Sequence, residues 1–190
     1  MNLITEIKEI LFNPIDKIKE IDQNNTPPSD YLKKIILPLM GVGLIASLLG
    51  FKFFARSGWF GNSWNTSMKY TLSFFLIFLI QIFILPIIID KISKTFKSES
   101  NIEKSKMFTY VALVPFFLST VLFIKPNIGN TVAPFVALYS LYLFYTAAPI
   151  LKKTPKENLI PFVVSIVAVD LLIIYLSFVY VLQKLVEAIL

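Results

Sequence analysis

Five continuous apolar stretches, separated by polar segments, are the feature that most constrains the fold of this chain. An α-helix rises about 1.5 Å per residue, so about 20 apolar residues cover the hydrocarbon core of a bilayer. The stretches show no alternation of apolar and polar residues, which the strands of a transmembrane barrel would require. The sequence therefore predicts an all-α, polytopic membrane protein with five transmembrane helices. The expected spans are 35–51, 70–89, 107–124, 132–151 and 159–182.

Composition supports the same class of protein. The mean hydropathy is +0.72 and 56% of the residues are hydrophobic, more than a soluble chain of 190 residues can bury in one core. We expect two parts, a cytoplasmic amphipathic helical segment with a linker at 1–34 and a five-helix transmembrane domain at 35–190. The chain has no cysteine, so disulfides and thiolate metal sites are excluded.

The distribution of lysine predicts the orientation of the spans, because basic residues prefer the cytoplasmic side of a membrane. Thirteen of the eighteen Lys and Arg residues fall on the side that carries the N-terminus. We therefore expect a retained N-terminus in the cytoplasm and a C-terminus outside. These residues are Lys8, Lys17, Lys19, Lys33, Lys34, Lys91, Lys94, Lys97, Lys104, Lys106, Lys152, Lys153 and Lys156.

The net charge of +6 does not indicate nucleic acid as a partner. The lysines lie in short segments beside the spans, with acidic neighbours such as Glu99 and Glu103, and such segments anchor a protein in the lipid bilayer. Lysine outnumbers arginine 17 to one, and Ile, Asn and Phe are abundant, as in products of AT-rich genomes. This usage favours the cytoplasmic (inner) membrane of a prokaryote.

The first 22 residues have the pattern of an amphipathic helix, with apolar residues at steps of three and four. Asn13 is a good N-cap and Pro14 a good first helical residue, so we predict two short helices, the first ending at Phe12. They lie either on the lipid headgroups or against the bundle, or they form a surface for a protein partner. Residues 22–30 are expected to be a linker.

Small residues, a proline and aromatic residues predict local features of the spans. In the first span, the pairs Gly43/Ser47 and Ala46/Gly50 would let another helix of the same chain approach closely. Pro115 is near the midpoint of the third span and is expected to kink it.

Aromatic residues between the first two spans predict a segment at the membrane–water interface. The segment 52–68 is expected along the outer membrane surface, because it contains Trp59, Phe60 and Trp64.

Asp170 is the only Asp, Glu, Lys or Arg near the middle of a predicted span. A carboxyl group there needs a hydrogen-bond partner, because burying it without one is costly. Two roles are open: a structural carboxyl that bonds across the bundle, or a proton or cation relay. The candidate partners at similar depth are Gln81, Tyr139, Tyr142, Ser119 and Thr120.

The sequence contains no arrangement of residues typical of catalysis. It has no His and no Cys, no phosphate-binding or dinucleotide-binding glycine motif, and no group of carboxylates within the spans. We therefore predict that the protein is not an enzyme and binds no cofactor or metal.

Three motifs resemble the Yip1 domain family, and together they extend over nearly the whole chain. They are "ILFNP" at 10–14, "YVALVP" at 110–115 and "LYSLYLFYTAAPILKKTPKE" at 138–157. The resemblance implies five spans, a cytoplasmic N-terminus and a C-terminus outside or in the lumen. Eukaryotic members act in transport between the endoplasmic reticulum and the Golgi and associate with small Rab GTPases.

The resemblance and the absence of catalytic residues together predict a non-enzymatic protein that organises membranes or recruits partners. The expected protein-binding surfaces are the N-terminal helix and the loop 91–106. A homo-oligomer is left open. The alternative is a small transporter, channel or lipid-moving protein with a proton or ion relay at Asp170.

Overall fold

The computed structural model describes residues 3–54 and 63–187, and within the last helix the side chains of 178 and 181–187 are excluded from the description. The described residues form nine α-helices and no strand, which confirms the all-α prediction. A π-helical turn at Leu32–Ile36 joins α3 to α4, and 3-10 turns follow α5 and α7. The helices are α1 Leu3–Phe12, α2 Pro14–Gln23, α3 Pro28–Tyr31, α4 Leu37–Phe53, α5 Trp64–Ser93, α6 Ile102–Ala112, α7 Val114–Ser119, α8 Pro126–Leu151 and α9 Lys156–Glu187.

In the described part of the chain, five helical segments are long and apolar enough to cross a membrane, as predicted. The first four are longer than the predicted apolar stretches, because a helix continues past the hydrocarbon wherever its backbone hydrogen bonds can be made. The largest difference is in the first span, where the π-helical turn makes one helical segment from Pro28 onward. The segments are Pro28–Phe53, Trp64–Phe96, Ile102–Ile124, Pro126–Leu151 and Lys156–Ser177.

The two N-terminal helices form a hairpin that packs against the bundle. The first ends at Phe12 and the second begins at Pro14, which confirms the predicted break. Ile10 and Ile18 are fully buried in the same hydrophobic core as the spans. The predicted linker at 22–30 is wrong in its extent, because α2 continues to Gln23 and α3 already begins at Pro28. The hairpin is therefore part of the bundle.

The third span is divided into α6 and α7 by a break at Leu113. Pro115 is the second residue of α7, a position where its missing N–H removes no helical hydrogen bond. The predicted kink at this proline thus takes the form of a helix that stops and starts again. The span ends in the 3-10 turn Thr120–Ile124.

The small residues of α4 face this 3-10 turn. A Cβ atom added at Gly43 would overlap the Thr120 side chain, and one added at Gly50 would overlap the Phe123 carbonyl group. The close packing predicted within the chain is confirmed. Of the aromatic residues expected at the outer surface, Trp59 and Phe60 lie outside the described residues. Trp64 begins α5 and is half-exposed.

The contacts of two helices, α5 and α8, position the polar groups described below. Helix α5 packs along α9 and also contacts α4 and α6. Helix α8 contacts α2, α6, α7 and α9, so the N-terminal hairpin lies on the α8 side of the bundle. The fully buried aromatic side chains of the core include Phe78, Phe108, Phe117, Phe144 and Phe162.

Candidate functional site

Asp170 forms a hydrogen bond with Gln81 between the fifth and second spans. The Gln81 side-chain nitrogen Nε2 donates to Asp170 Oδ1 at 2.9 Å. Gln81 is fully buried, and its own carbonyl oxygen Oε1 has no hydrogen-bond partner among the described residues. The pair joins α5 to α9 in a region of low dielectric constant, where a carboxyl group without a partner would be costly.

The other predicted partners of Asp170 are engaged elsewhere. The Tyr139 hydroxyl donates to the Leu11 carbonyl oxygen at 2.8 Å, and its ring lies 5.2 Å from that of Tyr142. Ser119 and Thr120 donate to backbone carbonyl oxygens three residues earlier in the chain. Of the predicted intramembrane centre, the structure brings together Asp170 and Gln81, and it places Tyr139 against the N-terminal hairpin with Tyr142 beside it.

A cavity of about 290 Å³ reaches Asp170 from the side of the bundle. Among the residues that line it, Asp170 and Ser140 supply the charged and hydroxyl side chains, and the others are apolar. The Ser140 hydroxyl is buried without a hydrogen-bond partner in the described part of the chain. The apolar residues of the wall include Phe116, Leu138, Leu141, Phe144, Val167 and Leu171.

A second polar cluster lies at the end of the bundle where α5 and α8 end and α6 begins, and its centre is a buried lysine. Lys152 is 0% exposed, and its Nζ donates to Ser105 Oγ at 2.7 Å and lies 3.8 Å from Asp90 Oδ1. Burial lowers the pKa of Lys152 to about 8, although the negative charges of Asp90 and Glu99 oppose the shift. Sequence reasoning assigned Lys152 to membrane anchoring, because an apolar run followed by two lysines carries no signal that one of them is buried.

Two connections meet beside this cluster. The Glu99 N–H donates to the Lys152 carbonyl oxygen at 2.6 Å, and the Ser98 hydroxyl donates to Thr154 Oγ1 at 2.9 Å. An ion pair between Lys153 Nζ and Glu99 Oε2 at 2.8 Å adds a charged contact. The connection between α5 and α6 is thus joined to the connection between α8 and α9.

The N-terminal hairpin is held together by a lysine between three glutamates. Lys17 is 6% exposed, and its Nζ lies 2.9 Å from Glu6, 2.8 Å from Glu9 and 3.1 Å from Glu20. Burial alone would lower the pKa of Lys17, but the hydrogen bonds that its ammonium group donates to the glutamates outweigh this effect and hold the pKa above its usual value. The ammonium group is therefore charged at neutral pH and links α1 to α2.

An ion pair between Asp22 and Lys104 connects the end of the hairpin to the start of α6. Beside it lies a cleft of about 300 Å³ with apolar contributions from Ile21, Met107 and Leu151. We call the surface made by the C-terminal end of α2, the α5–α6 connection with the start of α6, and the α8–α9 connection the composite face. Its lysines include Lys104 and Lys153, which belong to two of the segments that the sequence predicts to be cytoplasmic.

The model of the Yip1 domain matches residues 8–178 of this chain. The match begins within α1 and includes all five candidate spans. No curated protein and no solved structure matches the chain. The protein is a multi-pass membrane protein of the Yip1 domain family.

Proposed function

We propose that this protein is a non-enzymatic membrane organiser that recruits a protein partner at the composite face. The observation that carries the proposal is the joining of three segments, distant in sequence, by the ion pairs Asp22–Lys104 and Glu99–Lys153. A surface that is ordered before binding loses less conformational entropy when a partner binds.

The cleft beside Asp22 and Lys104 indicates the chemistry of this partner. Its apolar part, formed by Ile21, Met107 and Leu151, lies next to the charged groups of Asp22 and Lys104. Binding hot spots commonly consist of an apolar anchor in a pocket that is surrounded by polar contacts. A protein segment with one apolar anchor residue flanked by charged residues fits this arrangement.

The composite face is proposed to lie in the cytoplasm, with the protein in the inner membrane of a prokaryote. Support for this orientation comes from the lysines that the face collects, which the positive-inside rule assigns to the cytoplasmic side. In a prokaryotic membrane, the proposed role resembles that of eukaryotic Yip1 proteins, because both bind a protein partner. The partner of this protein is proposed to be a protein other than a Rab GTPase.

The alternative role, a transporter, channel or lipid-moving protein with a relay at Asp170, has less support. A relay requires a chain of polar groups or water from the surface to the carboxyl group. The cavity that reaches Asp170 is apolar over most of its described lining, and Asp170 bonds to Gln81.

A charge exchange tests the recruitment proposal. Asp22→Lys and Lys104→Glu each replace the ion pair by a repulsion, whereas the double exchange restores it in reverse. Crosslinking in native membranes, followed by purification and quantitative mass spectrometry, measures the partners recovered with each variant. We expect at least a fivefold loss of the partner in both single variants and recovery in the double variant.

Asp30→Lys is the matched control, because Asp30 pairs with Lys34 within one helical turn and joins no distant segments. It should leave partner recovery unchanged. Equal recovery in all variants, or the absence of any specific partner of the unmodified protein, would contradict the proposal.

A further inference from the structure

The N-terminal hairpin runs alongside the fourth span and reaches about half of its length. Its base lies at the end of the bundle near Lys104, which pairs with Asp22. Its tip is marked by Leu11, whose carbonyl oxygen accepts from Tyr139. Tyr139 is twelve residues before the end of the 26-residue α8, which is about 18 Å along a helix of about 39 Å.

The direction of the Tyr139 side chain does not reduce the distance between its hydroxyl group and the Leu151 end of α8. Side chains in a helix lean toward its N-terminus, which for α8 is the end away from Lys152. The hydroxyl group of Tyr139 is therefore at least as far from the composite face as its Cα atom. The hairpin tip lies at the level of residues that the fourth span exposes to lipid, such as Leu138 and Leu141, which are 55% and 39% exposed.

Beside the exposed polar Asn13, the tip carries two exposed apolar side chains. Phe12 and Ile15, on either side of the turn at Asn13-Pro14, are 73% and 46% exposed. They do not hold the hairpin on the bundle, because that contact is made by the fully buried Ile10 and Ile18. Two large apolar side chains level with exposed apolar residues of α8 match hydrocarbon in chemistry.

The flank of the hairpin is polar, with a shallow groove lined by Glu9, Asn13, Asp16, Lys17 and Glu20. Such groups require water or lipid headgroups, even though the tip lies level with the middle of the fourth span. On the other side of the bundle, apolar side chains are exposed closer to the composite face. Ile87, three residues before Asp90, is 48% exposed, and Ile160, four residues after Lys156, is 66% exposed.

We propose that the hairpin is a wedge in one leaflet, with Phe12 and Ile15 in the acyl chains and the polar flank in the headgroup region. Headgroups beside α8 are then drawn toward the middle of the membrane, so this leaflet is thinner beside the hairpin than beside α5 and α9. The wedge is independent of partner recruitment, because the tip and the composite face are opposite ends of the hairpin.

The depth of the tip can be measured by fluorescence. In a background with Trp59 and Trp64 replaced by Phe, a single tryptophan is introduced as Phe12→Trp or, in a second variant, as Ile15→Trp. The matched control is Ile4→Trp, on the same helix α1 and 75% exposed, about 12 Å nearer to the base of the hairpin. Each protein is reconstituted in vesicles of phosphatidylcholine and phosphatidylglycerol that contain phosphatidylcholine brominated at acyl carbons 6 and 7.

We expect the brominated lipid to quench the emission of the Phe12→Trp and Ile15→Trp variants at least twofold more than that of the Ile4→Trp variant. Acrylamide in the water should show the opposite order. Strong quenching of both tip variants by acrylamide would mean that the tip lies in water and would overturn the proposal. Quenching by neither agent would also overturn it, because the tip would then be covered by a second copy or another protein.

Discussion

The described hydrogen bond of Asp170 comes from the neutral amide of Gln81. This bond predicts how substitutions of Asp170 change the stability of the protein. Asp170→Asn keeps the shape and a polar end group, so the protein should insert and unfold almost as the wild type does. Asp170→Leu should lower the free energy of unfolding by about 1–2 kcal/mol, because the Gln81 amide then loses its partner in a low-dielectric interior. Thermal unfolding in detergent measures both effects.

Function separates the structural role of Asp170 from a relay. A structural carboxyl predicts that the Asn variant complements a deletion strain, whereas a relay predicts that Asn fails as Leu does. Ser140→Ala is the control, because Ser140 lines the same cavity without a described hydrogen-bond partner. Stable folding of Asp170→Asn with complete loss of complementation would contradict the structural role.

Lys152 should make stability depend on pH, with a sign that follows from its lowered pKa. Between the folded pKa of about 8 and the ordinary value of 10.5, the unfolded state binds more protons at this residue than the folded state. The free energy of unfolding therefore rises with pH across this window and gains up to about 3 kcal/mol from Lys152. Lys152→Met removes this contribution, so the stability difference between wild type and variant should change by that amount from pH 7 to 10.5.

Lys153→Met is the control for this pH dependence. Lys153 is exposed, and its hydrogen bond and charge interaction with Glu99 raise its pKa, so its contribution is constant below pH 10. Denaturant titrations in micelles at several pH values measure both variants. A pH dependence that is the same in Lys152→Met and in the wild type would contradict the burial of a titrating Lys152.

At the scale of single elements, α4 provides a matched set of glycines. Gly50→Ala places a methyl group on the Phe123 carbonyl, and Gly43→Ala places one on the Thr120 side chain. Each should destabilise the protein by about 1–3 kcal/mol, with the larger loss at Gly50, because backbone yields less than a side chain. Gly41→Ala is the control, since a methyl group there has no described neighbour within 4 Å. Thermal unfolding in detergent ranks the three variants, and equal effects would contradict the packing of α4 on the 3-10 turn.

The hairpin of α1 and α2 depends on Lys17. Lys17→Met leaves Glu6, which is 4% exposed, with a buried carboxylate and no lysine beside it. Removing one partner of a buried ion pair typically costs about 3–5 kcal/mol, and here the loss should be local to the hairpin. Hydrogen exchange of α1 and α2 should become faster while α5 and α6 keep their protection. Lys19→Met, at an exposed position of α2, should leave exchange unchanged.

For the whole molecule, the prediction is the orientation in the membrane. The composite face collects lysines from segments far apart in sequence, so the positive-inside rule predicts one orientation for the entire bundle. Reporter fusions after Ser98 and Thr154 should be cytoplasmic, and fusions after Pro126 and at Leu190 should be outside. A fusion on the wrong side would contradict the topology of N-terminus in and C-terminus out.

Much of this architecture follows from local patterns in the chain. Long apolar runs determine the five spans, because lipid excludes polar backbone that is not hydrogen-bonded within the segment. Asn13-Pro14 determines the turn of the hairpin, and Gly43 and Gly50 determine where α4 permits close contact. Each of these depends on residues that are neighbours in the chain, so each can be recognised without knowing the packing.

The polar contacts depend on how the helices are rotated and paired, which no local pattern contains. Five side chains had a suitable depth to bond Asp170, and the packing of α5 on α9 selects Gln81. Tyr139 bonds Leu11, 128 residues away in the sequence, because α2 packs on α8. Lys152 and Lys153 are adjacent in the sequence, yet one is buried and the other exposed, since the end of α8 turns one side chain toward Ser105 and the other toward solvent.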